Sequence, residues 1–253
     1  EWQLASFLGR VNYNYKDKYL LTASFRADGS SRMSENNRWG YFPAVAAGWI
    51  VSDEDFLKPV SWLSNLKLRL GYGVTGNQSV PLYSSLSLMT TGNAYIYPND
   101  VPKVGLRSTR LANSELKWET TSQSNIGVDL SVFDGRISLT ADYYYKKTTD
   151  LLLNMPIPST AGFSSIMENA GSVENRGLEI DLTTVNLKGS LEWRTSFNFA
   201  ANKNRILDLG GRGNILIGKS SYQAIIKAGA PLGAWYGYIS DGMWTQNDLT
   251  YSR

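Results

Sequence analysis

Several segments of this chain alternate apolar and polar residues for ten positions or more, and this most constrains what the chain can fold into. Residues 5–15 set Phe7, Val11, Tyr13 and Tyr15 against Arg10, Asn12 and Asn14, and residues 19–28 set Tyr19, Leu21, Ala23, Phe25 and Ala27 against Thr22, Ser24, Arg26 and Asp28. The pattern recurs over 65–75, 115–132, 136–149, 176–186 and 191–201, with an irregular eighth segment at 39–51. A period of two is the signature of a strand whose two faces meet different surroundings. Strands in globular proteins peak near ~5–6 residues, whereas a strand tilted across a bilayer needs ~9–11. Pro43 in the eighth segment predicts an irregular start or a bulge, because proline cannot donate to a ladder.

The connections carry a second regularity. KDK at 16–18, Asp134-Gly135 and Lys188-Gly189 mark tight turns, and longer connections at 29–38, 76–113 and 151–175 alternate with them. Residues 52–64 fall on the short-turn side, where Ser52 ahead of Asp53, Glu54 and Asp55 predicts a short capped helical turn. Short turns on one side and long loops on the other describe outer-membrane β-barrels.

Composition narrows the chemistry. The 253 residues include no cysteine and no histidine, which excludes disulfides, thiolate and imidazole metal sites, and every histidine-based catalytic scheme. A net charge of +3, spread along the chain, argues against a nucleic-acid partner. No stretch approaches the ~20 apolar residues of a membrane-spanning helix, a test that leaves barrels untouched. The chain opens with EWQLASFLGR, already strand-like and without the basic start and apolar core of a signal peptide, so it reads as processed or internal.

Alternation alone leaves a soluble sandwich open, since a sheet packed on a core has one wet face too. The polar face, with Arg10, Arg26, Lys67, Arg69, Asp129, Asp142, Lys146, Glu179, Asp181, Glu192 and Arg194, suits a wet or plugged lumen. Tyr13, Tyr15 and Tyr19 beside the first turn, the run Tyr143–Tyr145, and Trp118 and Trp193 near strand ends fit an aromatic girdle at the lipid boundary. Other motifs fall away. Gly210, Gly211 and Gly213 lack the lysine-serine pair of a phosphate loop, Asp53–Asp55 lacks calcium-loop spacing, and Glu168, Glu174 and Glu179 have no set separation for glycosidase chemistry. No enzyme activity and no cofactor are expected.

The blocks GRVNYNYKDKYLLTASFRADGSSR, NRWGYFPAVAAGWIVSDEDFL, LSNLKLRLGYGVTGN, LKWETTSQSNIGVDLSVFDGRISLTADYYYKKTTDLLL, VENRGLEIDL, FNFAANKNRI and PLGAWYGYISDGMW, in this order, resemble the C-terminal barrel region of the SusC/RagA family of TonB-linked outer-membrane transporters of Bacteroidetes. The resemblance implies an all-β fold, with residues 1–253 forming about eight antiparallel strands of a larger, ~22-stranded plugged barrel. It implies import of oligosaccharides, or of peptides, with a SusD-like surface lipoprotein as lid and TonB–ExbB–ExbD supplying energy through N-terminal parts. Those parts, a carboxypeptidase-like domain, a TonB box and a plug, have no counterpart in these residues. Open strand edges and an apolar outer face then require neighbouring barrel strands and outer-membrane lipid. Loops 76–113, 151–175 and 206–250 would form the extracellular mouth, with Tyr95, Tyr97, Asn99, Asp100 and Trp235 as candidates for ligand or lid contact. Two other readings stay open here: a structural or adhesive outer-membrane barrel, and a soluble carbohydrate-binding sandwich.

Overall fold

The computed structural model describes residues 1–96, 102–219, 222–238 and 242. In chain order its strands are β1 (Leu4–Tyr15), β2 (Tyr19–Ser30), β3 (Trp39–Ile50), β4 (Leu63–Asn77), β5 (Leu88–Ile96), β6 (Pro102–Arg110), β7 (Glu119–Val132), β8 (Ile137–Thr149), β9 (Leu152–Pro156), β10 (Ser165–Asn169), β11 (Ser172–Leu187), β12 (Trp193–Asp208), β13 (Ile215–Lys219), β14 (Tyr222–Ile226) and β15 (Ala234–Tyr236).

The eight segments that alternate in the sequence make one antiparallel sheet in the order β1-β2-β3-β4-β7-β8-β11-β12. Among the described residues no second sheet packs on it, so the sandwich reading does not hold. The sheet is also not closed: among the described residues β1 pairs only with β2, and β12 only with β11.

Register explains why alternation survives across the whole wall. One row of Cα partners runs Tyr13–Leu21–Ala47–Leu70–Ile126–Tyr143–Leu178–Ala201, and the adjacent row runs Asn12–Thr22–Ala46–Gly71–Asn125–Tyr144–Gly177–Asn202. The first is apolar throughout, and the second is polar or small apart from the Tyr144 ring. A slip of one residue in any pair would exchange the two faces, so the patterning itself fixes the pairing. The register shifts in this sheet fall at strand ends, between Leu63 and Asn65, Ser172 and Val173, and Val185 and Leu187.

Local details correct three expectations. Pro43 makes no bulge: it pairs opposite Phe25 in an unbroken β2–β3 ladder, and the β3–β4 ladder begins one residue later at Ala44↔Gly73. Ser52 caps nothing. The turn after β3 is a 3-10 turn over Val51–Asp53 with Ser52 inside it, closed by Glu54 N–H donating to Val51 O at 3.1 Å. The long connections hold strands of their own, with β5–β6 and β9–β10 as antiparallel hairpins and β13–β14–β15 as a three-stranded sheet.

Two of the three tight turns are as expected, whereas the connection at Lys188-Gly189 is longer and takes the five residues between Leu187 and Trp193. Lys18 N–H donates to Tyr15 O across Lys16 and Asp17, and Arg136 N–H donates to Phe133 O across Asp134 and Gly135. Both central residues of each turn have positive φ, the hairpin geometry whose twist matches that of the strands.

A small apolar core sits at the loop end of the wall, where β3 and β4 part beyond Ala44 and Gly73 while each keeps its other partner. Phe42 and Trp118 fill this wedge edge to face, with ring centroids 5.4 Å apart, alongside Met33, Val80 and Leu116. Gly76 has to be glycine here, since a Cβ would stand 2.1 Å from Phe42 Cζ and 2.9 Å from the Trp118 ring. Trp118 is therefore buried, its Nε1 donating to Arg38 O at 2.8 Å, and it does not belong to a lipid-facing girdle.

Candidate functional site

The sheet presents two chemically opposed surfaces. On one face Phe7, Val11, Tyr13, Leu21, Phe25, Tyr41, Leu70, Tyr72, Ile126 and Phe197 are large, apolar and exposed. So much contiguous exposed apolar surface marks contact with lipid or another apolar partner. Aromatic pairs bracket it. Tyr15–Tyr19 and Tyr19–Trp49 lie at the short-turn end, with centroids 6.2 and 6.3 Å apart, and Phe7–Trp39 and Phe25–Tyr41 lie toward the loops at 6.0 and 6.1 Å. The row of Tyr15 and the row of Phe7 are separated by about 27 Å along the strand at ~3.4 Å per residue. A tilt of ~35–45° brings that to about 20 Å, comparable to the ~25 Å apolar band of such barrels. Trp193 starts β12 at the same short-turn end and is exposed, as a girdle residue should be. Of the tyrosine run, Tyr143 and Tyr145 belong to the apolar face, whereas Tyr144 lies across Gly177 on the opposite one.

That opposite face is polar and networked. Arg69 on β4 donates from Nε and Nη2 to Asp129 on β7 at 2.8 and 2.9 Å, and from Nη2 to Asp142 on β8 at 2.9 Å. Its guanidinium reaches β8 by passing over Gly127, where a Cβ would sit 2.8 Å from Arg69 Cζ and 2.3 Å from Asp142 Oδ1. Asn198 donates to Asp181 at 2.6 Å, and the Thr121–Thr148 hydroxyl pair stands 2.9 Å apart. An open cleft of about 340 Å³ over this face is lined by Thr22, Gly48, Lys67, Arg69, Asn125 and Asp142. Charge held in such a network needs water or polar partners alongside it, which suits a barrel interior and not a lipid face.

At the short-turn end Glu54 gathers three donors: Tyr19 Oη at 2.6 Å, Trp49 Nε1 at 3.1 Å and Lys18 Nζ at 3.1 Å. These hydrogen bonds, Tyr19 first, hold its carboxyl well below the usual range, at about 2. Gly127 does not stand out in the sequence, and Glu54 appears there only as one of three adjacent acids. A glycine in a polar slot between Asn125 and Asp129 is the one cue for the first, and the second forms only when the 51–62 turn folds back on β2 and β3.

Of the five candidate contact residues, the two described lie on separate small sheets. Tyr95 lies on β5 opposite Lys103, and Trp235 lies on β15 opposite Ala224, 82% exposed, on a separate small sheet. Tyr97, Asn99 and Asp100 lie outside the described residues. The discarded motifs have structural roles: Glu168 pairs with Arg212, Glu174 accepts from Tyr145 Oη at 3.1 Å, and Gly210 and Gly211 turn the chain with positive φ.

Comparison with known proteins places this architecture. Residues 2–253 match the family model described as TonB dependent receptor-like, beta-barrel. TonB-dependent receptor P39 of Formosa agariphila is 42% identical over 97% of this chain, and TonB-dependent receptor SusC of Bacteroides thetaiotaomicron is 41% identical over 82%. The solved structure of the RagAB peptide transporter superposes with a TM-score of 0.81 at 31% identity, covering 91% of this chain and 25% of that one. The chain spans about a quarter of the length of the curated relatives it matches, 23% of P39 and 21% of SusC. An eight-stranded wall with one apolar and one charged face is what the alternation requires, and this chain belongs to the TonB-dependent receptors, as an outer-membrane β-barrel segment of the SusC/RagA kind.

Proposed function

We propose that residues 1–253 are a partial barrel domain in the wall of a TonB-dependent importer of large nutrients, with oligosaccharides as the substrate class and peptides as the second. One observation carries the reading: an unbroken register over eight strands separates a lipid-facing surface from a charged, water-compatible one. A wall of that kind lines a wide lumen, and the connections that carry hairpins, 78–118 and 150–171, open at one end. The plug, the TonB box and the N-terminal carboxypeptidase-like domain would be supplied from outside these residues. Energy would reach the barrel from TonB–ExbB–ExbD through that part of the protein, and the wall itself performs no chemistry.

A SusD-like lipoprotein is the proposed partner at the mouth. The likeness to SusC and to the RagAB transporter supports it, as does the size of the 78–118 connection, which carries the β5–β6 hairpin beyond the wall. Tyr95, Tyr97, Asn99, Asp100 and Trp235 remain proposed contacts for ligand or lid. The test is growth of the source bacterium on single polymeric nutrients, with the full-length gene intact, deleted, or lacking residues 85–112. Loss of growth on at least one glycan in both altered strains is expected. Unchanged growth on every polymer after complete deletion would overturn the import reading and leave a structural or adhesive barrel.

A further inference from the structure

The connections at the loop end enclose a cleft of about 390 Å³ between β6 and the turn joining β9 to β10. Its lining contributes two guanidinium groups, Arg107 and Arg110, and no carboxylate. Arg110 is held in place by its Nη2, which donates to the carbonyls of Leu82, at 3.1 Å, and Tyr83. Its Nε is buried and has no hydrogen-bond partner among the described residues. Arg107 likewise has no ion pair or hydrogen bond among the described residues, which sets it apart from Arg69, Arg194 and Arg212, each bound to an acid.

Two guanidinium groups in one cleft, with donors to spare and no acid to neutralise them, make a receptor for an oxyanion. A buried N–H without a partner is costly unless a ligand or water supplies the acceptor. The rest of the lining sets the ligand's body. Asn154, Ser164 and Ser165 offer amide and hydroxyl groups, and Phe163 offers an aromatic surface beside them. This combination answers a polyhydroxylated ring with both polar edges and a C–H face. An extended peptide would instead call for pockets that take alternate side chains.

We propose that this cleft is a subsite for the carboxylate or sulfate of an acidic oligosaccharide, with Arg107 and Arg110 binding the anion and Phe163 stacking on the sugar. The proposal rests on the import reading and narrows it to a charged glycan.

The experiment uses the purified full-length receptor in detergent on an array of uronate-bearing, sulfate-bearing and neutral oligosaccharides, with an acidic hexapeptide as a further probe. Binding confined to acidic glycans is expected, weakened tenfold or more by Arg107→Gln with Arg110→Gln and by raised salt. Because Arg110 also holds two carbonyls, Arg107→Gln alone is measured as well and should weaken binding in the same direction. Retained affinity in both variants, binding to neutral glycans alone, binding to the peptide alone, or no binding to any probe would overturn the subsite. If the subsite fails while gene deletion still abolishes growth on a polymer, the import reading stands without it.

Discussion

The guanidinium of Arg69 reaches Asp142, two strands away, because Gly127 on the intervening strand leaves the space above its Cα open. Charge, hydrogen bonding and the missing side chain are one device here. Gly127→Val should push the Arg69 side chain off Asp142, and Arg69→Ala should leave Asp129 and Asp142 facing each other without their shared donor. Each loss should cost about 1–2 kcal/mol, in the range for charge-assisted hydrogen bonds that water partly screens. Urea titration of the full-length receptor in lipid or detergent, followed by tryptophan fluorescence, measures it. An unchanged midpoint for both variants would remove the network from the stability of the wall.

The Glu54 cluster makes a pH prediction. Its carboxylate sits at about 2 in the folded protein, below the value it takes in an unfolded chain. The stabilisation is therefore complete above the unfolded value and is lost as pH falls through the ordinary carboxylate range toward 2. Between about pH 5 and 2, hydrogen-exchange protection of the 51–62 turn, taken relative to the intrinsic rate at each pH, should fall more than that of the central strands. Glu54→Gln should flatten this dependence, since its amide cannot titrate and cannot pair with Lys18. An equally steep profile in Glu54→Gln would show that another group controls the turn.

Adjacent residues on one strand should behave oppositely. Ile126 lies in the apolar row and Asn125 in the polar one. Ile126→Arg should destabilise the inserted barrel by about 2–4 kcal/mol if that row lies near the bilayer midplane, whereas Asn125→Arg meets water and should change stability by less than about 1 kcal/mol. Heat modifiability of outer-membrane fractions distinguishes them. Equal sensitivity at both positions would contradict the assignment of faces.

The wedge at the loop end depends on Gly76 as much as on Phe42. Gly76→Val would drive a side chain into a ring already packed against Trp118. Phe42→Ala would empty the same space at a cost of about 3–5 kcal/mol. Both should expose the 78–118 connection to protease while leaving the strands protected, and limited proteolysis with mass mapping tests this.

How far the sequence could be read follows from the same physics. The eight wall strands were legible because lipid on one side and water on the other impose a choice at every residue. Their ends were not. β12 runs to Asp208, beyond the last clean alternation at Ala201, because pairing continues where the contrast between faces fades. The loop hairpins gave no signal, since β5 and β6 are short and carry polar residues on both faces, as in Thr90 and Thr91. Trp118 was misassigned for a related reason. Its place just before β7 suits a girdle, and only the separation of β3 from β4 shows that a tryptophan is needed to fill the gap. The contact candidates rested on residue type alone, and the arginine-lined cleft arises from two connections more than 40 positions apart in the chain.

The early end of the β3–β4 ladder also divides the molecule by the kind of force that holds it. Below Ala44 and Gly73 the wall is a hydrogen-bonded lattice that opens only by breaking many ladder bonds at once. Above them β3 and β4 no longer pair with each other, and side-chain packing around Phe42 and Trp118 fills the gap, while hydrogen bonds such as Ser34 N–H to Leu116 O tie neighbouring connections together. The loop end is thus expected to exchange its amides as its own cooperative unit, with an opening free energy below that of the barrel strands, so that the connections can rearrange without loosening the wall beneath them.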